Sequence, residues 1–308
     1  MTPTKRYRLR ARFNLAFQGV VALLIVVFCL GPLYWVFATS FKQMGSEYLI
    51  PPEIWPSRPT LQAYRTILGW SGGASGGQME GGALGGGEIT ASPHLNFVEP
   101  IRNSLIVSTC VTVVALSVSA LAAYAIARLR FRWRIQSLMI LWLGGLMPAV
   151  MVIAPTFMLL RRLDLLRTLL AMILPNIGYN VPLSTWLLAV YFSQLPWELE
   201  DAAKVDGHRP LGIFWKVILP LAAPGMFSAG VFAFLGSWGE FIVASVVTMG
   251  VEEVRTVPVA IMNMSFEYRY QWTWVSAAIV VSVGLMVLLA LACQRWVTQG
   301  LTAGSVKY

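Results

Sequence analysis

The chain has 308 residues, of which 57% are apolar and only 12% charged, with a mean hydropathy of +0.66; a soluble domain carries about twice that charge and a smaller apolar share. Cys29, Cys110 and Cys293 all lie in apolar runs, and the two histidines, His94 and His208, are scattered, so no disulfide framework, redox pair or metal site is expected. The net charge of +9 comes from cations grouped at the ends of apolar stretches rather than along a patch with interleaved aromatics, which argues against nucleic acid and for orientation in a membrane.

A helix crosses the hydrocarbon core with about 20 apolar residues. Six windows meet that length, near 14–40, 102–127, 135–160, 168–192, 225–248 and 274–297, and predict an all-α integral membrane protein with six spans. The first window follows a basic segment, 1–13, with Lys5, Arg6, Arg8, Arg10 and Arg12. Its apolar core is too long for a secretory signal, and Pro32-Leu33-Tyr34-Trp35 is no small-residue cleavage site, so it is read as a retained anchor. Those cations, with Arg128, Arg130, Arg132 and Arg134 after the second window, place both termini and the second and fourth connections in the cytoplasm. Arg161, Arg162 and Arg167 after the third window oppose this; the first helix and the even spacing of spans override them.

The segment 41–100 lies outside in this topology. It divides into a proline-rich part (Pro51, Pro52, Pro56, Pro59) and a glycine-rich tract from Gly72 to Gly87 that reads as a flexible tether inserted into the loop. No Gly-Lys-Ser/Thr follows the glycines, which speaks against a phosphate-cradling loop. From 101 to 297 the chain is a five-helix core. Pro148, Pro155, Pro175 and Pro182 break its middle helices. Asn176, Asn180 and Glu240 are polar groups inside spans, where such residues either bond a neighbouring helix or line a solute path, and both readings stay open.

One polar run interrupts the core between the fourth and fifth windows, within 194–224. Pro196 suits a first helical position, Glu198, Glu200 and Asp201 suit the positive end of a helix dipole, and Gly207 suits the stop. Leu199, Ala202, Ala203 and Asp206 recur at i, i+3, i+4 and i+7, predicting one small, flat face, with Glu200 and Lys204 as an i, i+4 pair on another. Pro210 opens a second amphipathic turn, Leu211 to Leu219, edged by Phe214, Val217 and Ile218 and ended by Pro220 and Pro224. The result is a helix–turn–helix unit on the cytoplasmic side.

The order of residues in this unit closely resembles the EAA loop of ABC-importer permeases: Glu-Ala-Ala, three residues, Gly, nine residues, Ile, one residue, Leu-Pro. Here it runs Asp201-Ala202-Ala203, Lys204-Val205-Asp206, Gly207, nine residues, Val217-Ile218-Leu219-Pro220, with Asp201 in place of Glu and Val217 in place of Ile. The C-terminal run from Gln294 through Arg295, Trp296, Val297, Thr298, Gln299, Gly300, Leu301, Thr302, Ala303 and Gly304 to Lys307 looks like the Q-R-Y-F-V-x-G-L-T-A-G-A-V-K tail of the smaller permease subunit in maltose-type sugar importers. Asn103-Ser104 and Ser237-Trp238-Gly239-Glu240-Phe241 are weaker matches, and the proline of many relatives near Gly284 is missing.

The resemblance implies a type I importer permease in a bacterial or archaeal inner membrane. It implies a second permease, two ATP-binding subunits that hold the ATP and magnesium, and an extracytoplasmic solute-binding protein, with lipid around them and sugar as cargo. Glycerol phosphate, polyamine or amino-acid import, and a scaffold role without transport, are the alternatives. The chain itself would be no enzyme and bind no cofactor. By the same resemblance Glu200, Asp201, Ala202, Ala203, Asp206, Gly207, Val217, Leu219 and Pro220 couple to an ATPase, Asp201 or Glu200 pairing an arginine there. Gly300, Leu301, Thr302, Ala303 and Gly304, in the tail 298–308, would lie at the interface between the ATPases.

Overall fold

A computed structural model describes residues 3–70, 96–248, 250–267 and 271–302, with side chains described throughout except at 3–14, 16, 265–267 and 296–302. The Gly72–Gly87 tract, Ala303 and Gly304 lie outside the described residues. The elements in chain order are α1 (Pro3–Ser40), α2 (Gln62–Ile67), α3 (Val98–Arg128), α4 (Arg134–Gly145), α5 (Ala149–Arg162), α6 (Leu169–Gln194), α7 (Glu198–Val205), α8 (Pro210–Ile213), α9 (Leu219–Leu221), α10 (Ala223–Trp238), α11 (Ile242–Thr248), α12 (Val257–Glu267) and α13 (Trp272–Thr302). A π-turn at Phe214–Ile218 joins α8 to α9. The fold is all-α; no strand occurs among the described residues.

Three helices are long and apolar enough to cross a membrane, at Phe17–Ser40, Val98–Arg128 and Trp272–Arg295, and two bent pairs raise the count to five if each is one span. The expected sixth falls on α6, 26 residues long but diluted by Pro175, Asn176, Asn180 and Pro182. The straight span expected at 135–160 is a correction: α4 and α5 meet at 89°. Residue 147 precedes proline and is biased away from helical backbone, and Pro148 itself is extended (φ −58°, ψ 131°) as the cap of α5. The span expected at 225–248 is likewise interrupted, α10 ending at Trp238 and α11 starting at Ile242. At the tail, Gly300, Leu301 and Thr302 continue α13 as helix rather than forming a separate segment.

The chain divides into two compact units, Met1–Leu95 with Met264–Val281 and Asn96–Asn263 with Ser282–Tyr308. In the first, the proline-rich stretch after α1 is packed against the end of that helix. Phe37, Phe41, Trp55 and Tyr64 form an aromatic cluster with ring centroids 5.1–6.5 Å apart. The Ser40 hydroxyl shares a 2.7 Å hydrogen bond with Tyr64, and the Thr60 amide donates to the Phe41 carbonyl at 2.9 Å. The prolines of this stretch stiffen a packed loop.

In the second unit α3 packs chiefly against α6 and α10. Towards the start of α3 the core holds Val107, Val111, Met172, Ile173, Val243 and Val247. Towards its end Ala120, Ala123 and Ala127 meet Leu188, Phe192, Ala203, Ile213, Phe214 and Ile218, small residues on α3 allowing close helix approach. Asn103 and Ser104 are buried at the start of α3. Asn103 donates to the Glu253 and Arg255 carbonyls at 2.8 and 3.0 Å, and the Ser104 hydroxyl accepts from the Val257 amide at 2.8 Å, pinning the segment that leads into α12.

Candidate functional site

The polar run between α6 and α10 folds as two helical arms. The first, α7, starts at Glu198 with Trp197 as its cap, so Pro196 lies before the helix rather than inside it. Acidic side chains crowd its first turn, where exposed N–H groups favour them. It ends in a Schellman motif: the Gly207 amide donates to Lys204 O and the His208 amide to Ala203 O, each at 3.0 Å, with Gly207 at φ +81°. Only glycine takes that backbone without a Cβ penalty.

The second arm continues past the expected proline stop. Helical backbone runs from Pro210 to Leu221 with the π-turn inside it, breaks at Ala222, and α10 leaves at 79°. Pro220 has no N–H for the carbonyl four residues back and its ring crowds that carbonyl; widening the preceding turn relieves both, and Val217 and Leu219 flank it half-buried against the core.

One face of α3 holds both arms. Arg128, its last residue, is buried and donates from Nη2 to the Phe192 and Leu195 carbonyls at 2.6 and 2.5 Å, adding to the 3.2 Å bond that the Leu195 amide gives Phe192 O at the end of α6. Its guanidinium stacks on Trp197 at 4.5 Å, and its Nε lies 3.3 Å from Glu200 Oε1 with both side chains buried. That last contact is an ion pair without linear N–H···O geometry. One turn earlier Tyr124 donates to the Pro210 carbonyl at 3.3 Å and packs its ring 5.2 Å from that of Phe214. In the sequence Arg128 marks only the topology; its i+4 spacing from Tyr124, on the alanine face of α3, is the signal for its inward role.

This geometry corrects three expectations. Glu200 does not face outward to meet an arginine on another protein; Arg128 of this chain holds it inside. Glu200 and Lys204 are not paired; Lys204 instead donates to Asp201 at 2.8 Å, both exposed. The small face splits, Ala203 turning into the core while Leu199, Ala202 and Asp206 stay outside. Burial pushes the Glu200 carboxyl above its ordinary 4.5, Arg128 and Lys204 acting against that rise and Asp201 with it. The outward surface therefore includes Asp201, Ala202, Asp206 and three apolar side chains, Val205, Leu211 and Trp215, exposed by 88%, 64% and 60%.

Among the polar span residues, Asn176 donates to Met172 O at 2.9 Å and Asn180 to Asn176 O at 2.8 Å, so both amides serve α6's own backbone rather than a neighbouring helix. A Cβ added to Gly236 would lie 3.1 Å from Asn180 Oδ1, which places the two helices close together there. Glu240 covers the start of α11, its two oxygens accepting from the Val243 and Ala244 amides at 2.7 and 3.0 Å. The three residues do not converge on one site through hydrogen bonds.

Residues 115–303 match the family of inner membrane components of binding-protein-dependent transport systems. The chain is 32% identical over 288 residues to the trehalose/maltose transport system permease protein MalG of Thermococcus litoralis, covering 93% of this chain and 94% of that one. It is 31% identical over 293 residues to the trehalose transport system permease protein SugB of Mycobacterium tuberculosis, covering 94% and 97%. Its fold is similar to one in a crystal structure of a bacterial ABC transporter involved in the import of the acidic polysaccharide alginate, with a TM-score of 0.70, 19% identity, and 96% of this chain and 98% of that chain covered.

Proposed function

We propose, on the premise that this chain belongs to the family of binding-protein-dependent transport system inner membrane components, that it is the permease subunit of an ATP-driven importer for a sugar or oligosaccharide. The observation that carries the reading is the two-armed loop at 198–221, ended by Gly207 in a left-handed turn, rooted in α3 by Arg128 and Tyr124, and presenting an exposed apolar and acidic surface. A loop that merely connected two helices needs neither a buried ion pair nor exposed Trp215 and Leu211. A surface gripped by a moving partner needs both, because displacement of α7 then passes to the ends of α3 and α6 together.

In this reading the loop is cytoplasmic and sits in a cleft of an ATP-binding subunit, with Asp201 as the acidic group that meets a cation there. Two such subunits, a second permease and an extracytoplasmic binding protein complete the transporter, and the run Gly300–Gly304 lies between the ATPases. Asn176 and Asn180 border the solute path; Glu240 is assigned to holding α11. The chain hydrolyses nothing and carries no cofactor. Names of relatives that refer to trehalose, maltose and diacetylchitobiose support a saccharide over a polyamine or amino acid.

The test is reconstitution in vesicles with the second permease, the ATP-binding subunits and the binding protein. ATP-dependent uptake of one member of a sugar panel is the expected result. A chain that retains no ATP-binding subunit on purification and stimulates no hydrolysis overturns the proposal.

A further inference from the structure

Outside the coupling loop, the first unit contains a cleft of about 410 Å³ between the last turns of α1 and the first turns of α13. Trp35, Val36 and Thr39 line one side, Val275, Ser276 and Ile279 the other, and Lys42, Glu47, Tyr48 and Trp272 close the end. One apolar span ends at Ser40 and another begins at Trp272, so the cleft lies where hydrocarbon gives way to headgroups, and its tryptophans and tyrosine suit that depth.

The polar end of this cleft is unfinished. Lys42 is only 2% exposed and its ammonium lies 4.3 Å over the Trp35 ring, yet no ion pair joins it to Glu47 or to any other carboxylate among the described residues. A buried cation that no carboxylate reaches within ion-pair distance calls for an anion. Glu47 Oε2 and Thr39 Oγ1 are buried without hydrogen-bond partners, a carboxylate oxygen that needs a donor and a hydroxyl free to donate. Burial raises the Glu47 carboxyl, against the Glu47 and Gly45 amides and the Lys42 charge.

We propose that this cleft binds the headgroup of an amine-bearing zwitterionic phospholipid, its phosphate on Lys42 and Thr39, its ammonium on Glu47, and the start of its acyl chains along Val36, Val275 and Ile279. A purely anionic headgroup leaves Glu47 unpaired and repelled. A choline headgroup has no N–H for Glu47 to accept. A neutral sugar has hydroxyls but nothing to neutralise Lys42, and an acidic one has no cation for Glu47.

The test is native mass spectrometry of the full-length chain in detergent, supplied with equal amounts of phosphatidylethanolamine, phosphatidylcholine and phosphatidylglycerol. Phosphatidylethanolamine is expected to be retained about tenfold over the other two, the scale of one hydrogen bond to a charged group. K42M is expected to lower its retention by a similar factor. E47Q, which keeps the fold's shape and the lysine, is expected to retain phospholipid while its preference for ethanolamine over choline falls to near unity. Equal retention of all three lipids, preference for phosphatidylglycerol, or an unchanged ethanolamine preference in E47Q each overturns the proposal. So does displacement of the lipid by free phosphoethanolamine or by trehalose, which would assign the cleft to a soluble ligand.

Discussion

Arg128 and Glu200 lie 3.3 Å apart with both side chains buried, and through them the last residue of α3 holds the first turn of α7. The same guanidinium donates to two carbonyls at the end of α6, so three helix ends converge on one side chain. Removing either charge alone leaves the other buried and unpaired, a cost of about 3–5 kcal/mol, whereas replacing both by apolar groups of similar size is close to neutral. R128M is therefore expected to destabilise the chain strongly and R128M/E200L to recover the part due to the unpaired carboxylate, the loss of the two carbonyl contacts remaining. R128K keeps the charge but cannot fork to both carbonyls, and is expected to fall between. Thermal unfolding of the four proteins in detergent measures this, and a single variant as stable as the double one removes the pairing argument.

The direction of the Glu200 shift sets a pH dependence. A carboxyl raised above its ordinary 4.5 binds its proton more tightly folded than unfolded. Its contribution to stability is thus fully present below 4.5 and is lost as pH rises through the higher folded value. Melting temperature is expected to rise as pH falls through the raised folded value towards 4.5, and E200Q is expected to flatten that slope. An opposite slope that E200Q abolishes would mean that Arg128 outweighs burial.

Hydropathy windows located the long helices because crossing a membrane demands length and apolarity and little else. They are blind to the breaks at 146–148 and 239–241, since an apolar chain reads the same whether straight or folded back by Pro148. Periodicity placed α7 and its stop at Gly207 but misassigned its faces. It counts apolar residues, and a glutamate that turns inward does so only because Arg128, distant in sequence, waits there. The apolar edge expected at Phe214, Val217 and Ile218 does turn inward, but the periodicity says nothing of Val205, Leu211 and Trp215, whose exposure depends on how the two arms pack on α3.

Asp201 is exposed and its one pair is with the exposed Lys204, so the fold has little at stake in it. D201K is expected to change stability by no more than about 0.5 kcal/mol while abolishing ATP-driven uptake in the reconstituted transporter. Uptake at the wild-type rate would show that the acidic group does not meet the ATP-binding subunit. Gly207→Ala separates the other contribution: a side chain at φ +81° costs about 1–2 kcal/mol and distorts the turn between the arms. It is expected to lower both melting temperature and transport.

Gly225, near the start of α10, lets that helix approach α6. A Cβ there would sit 2.5 Å from Cγ of Tyr191 and 2.7 and 2.8 Å from the adjacent ring carbons, distances that force a shift. The ring atoms nearest the backbone cannot swing away as a flexible chain end does, so the helices themselves must separate. G225A is expected to cost about 1–3 kcal/mol by overpacking. Tyr191→Ala in the same chain removes the obstructing ring and is expected to absorb the added methyl, so the double variant should lose less than the sum of the two single changes. Strict additivity in the unfolding measurements would show that the methyl is accommodated some other way, and that the close approach of α10 to α6 does not depend on the missing side chain at Gly225.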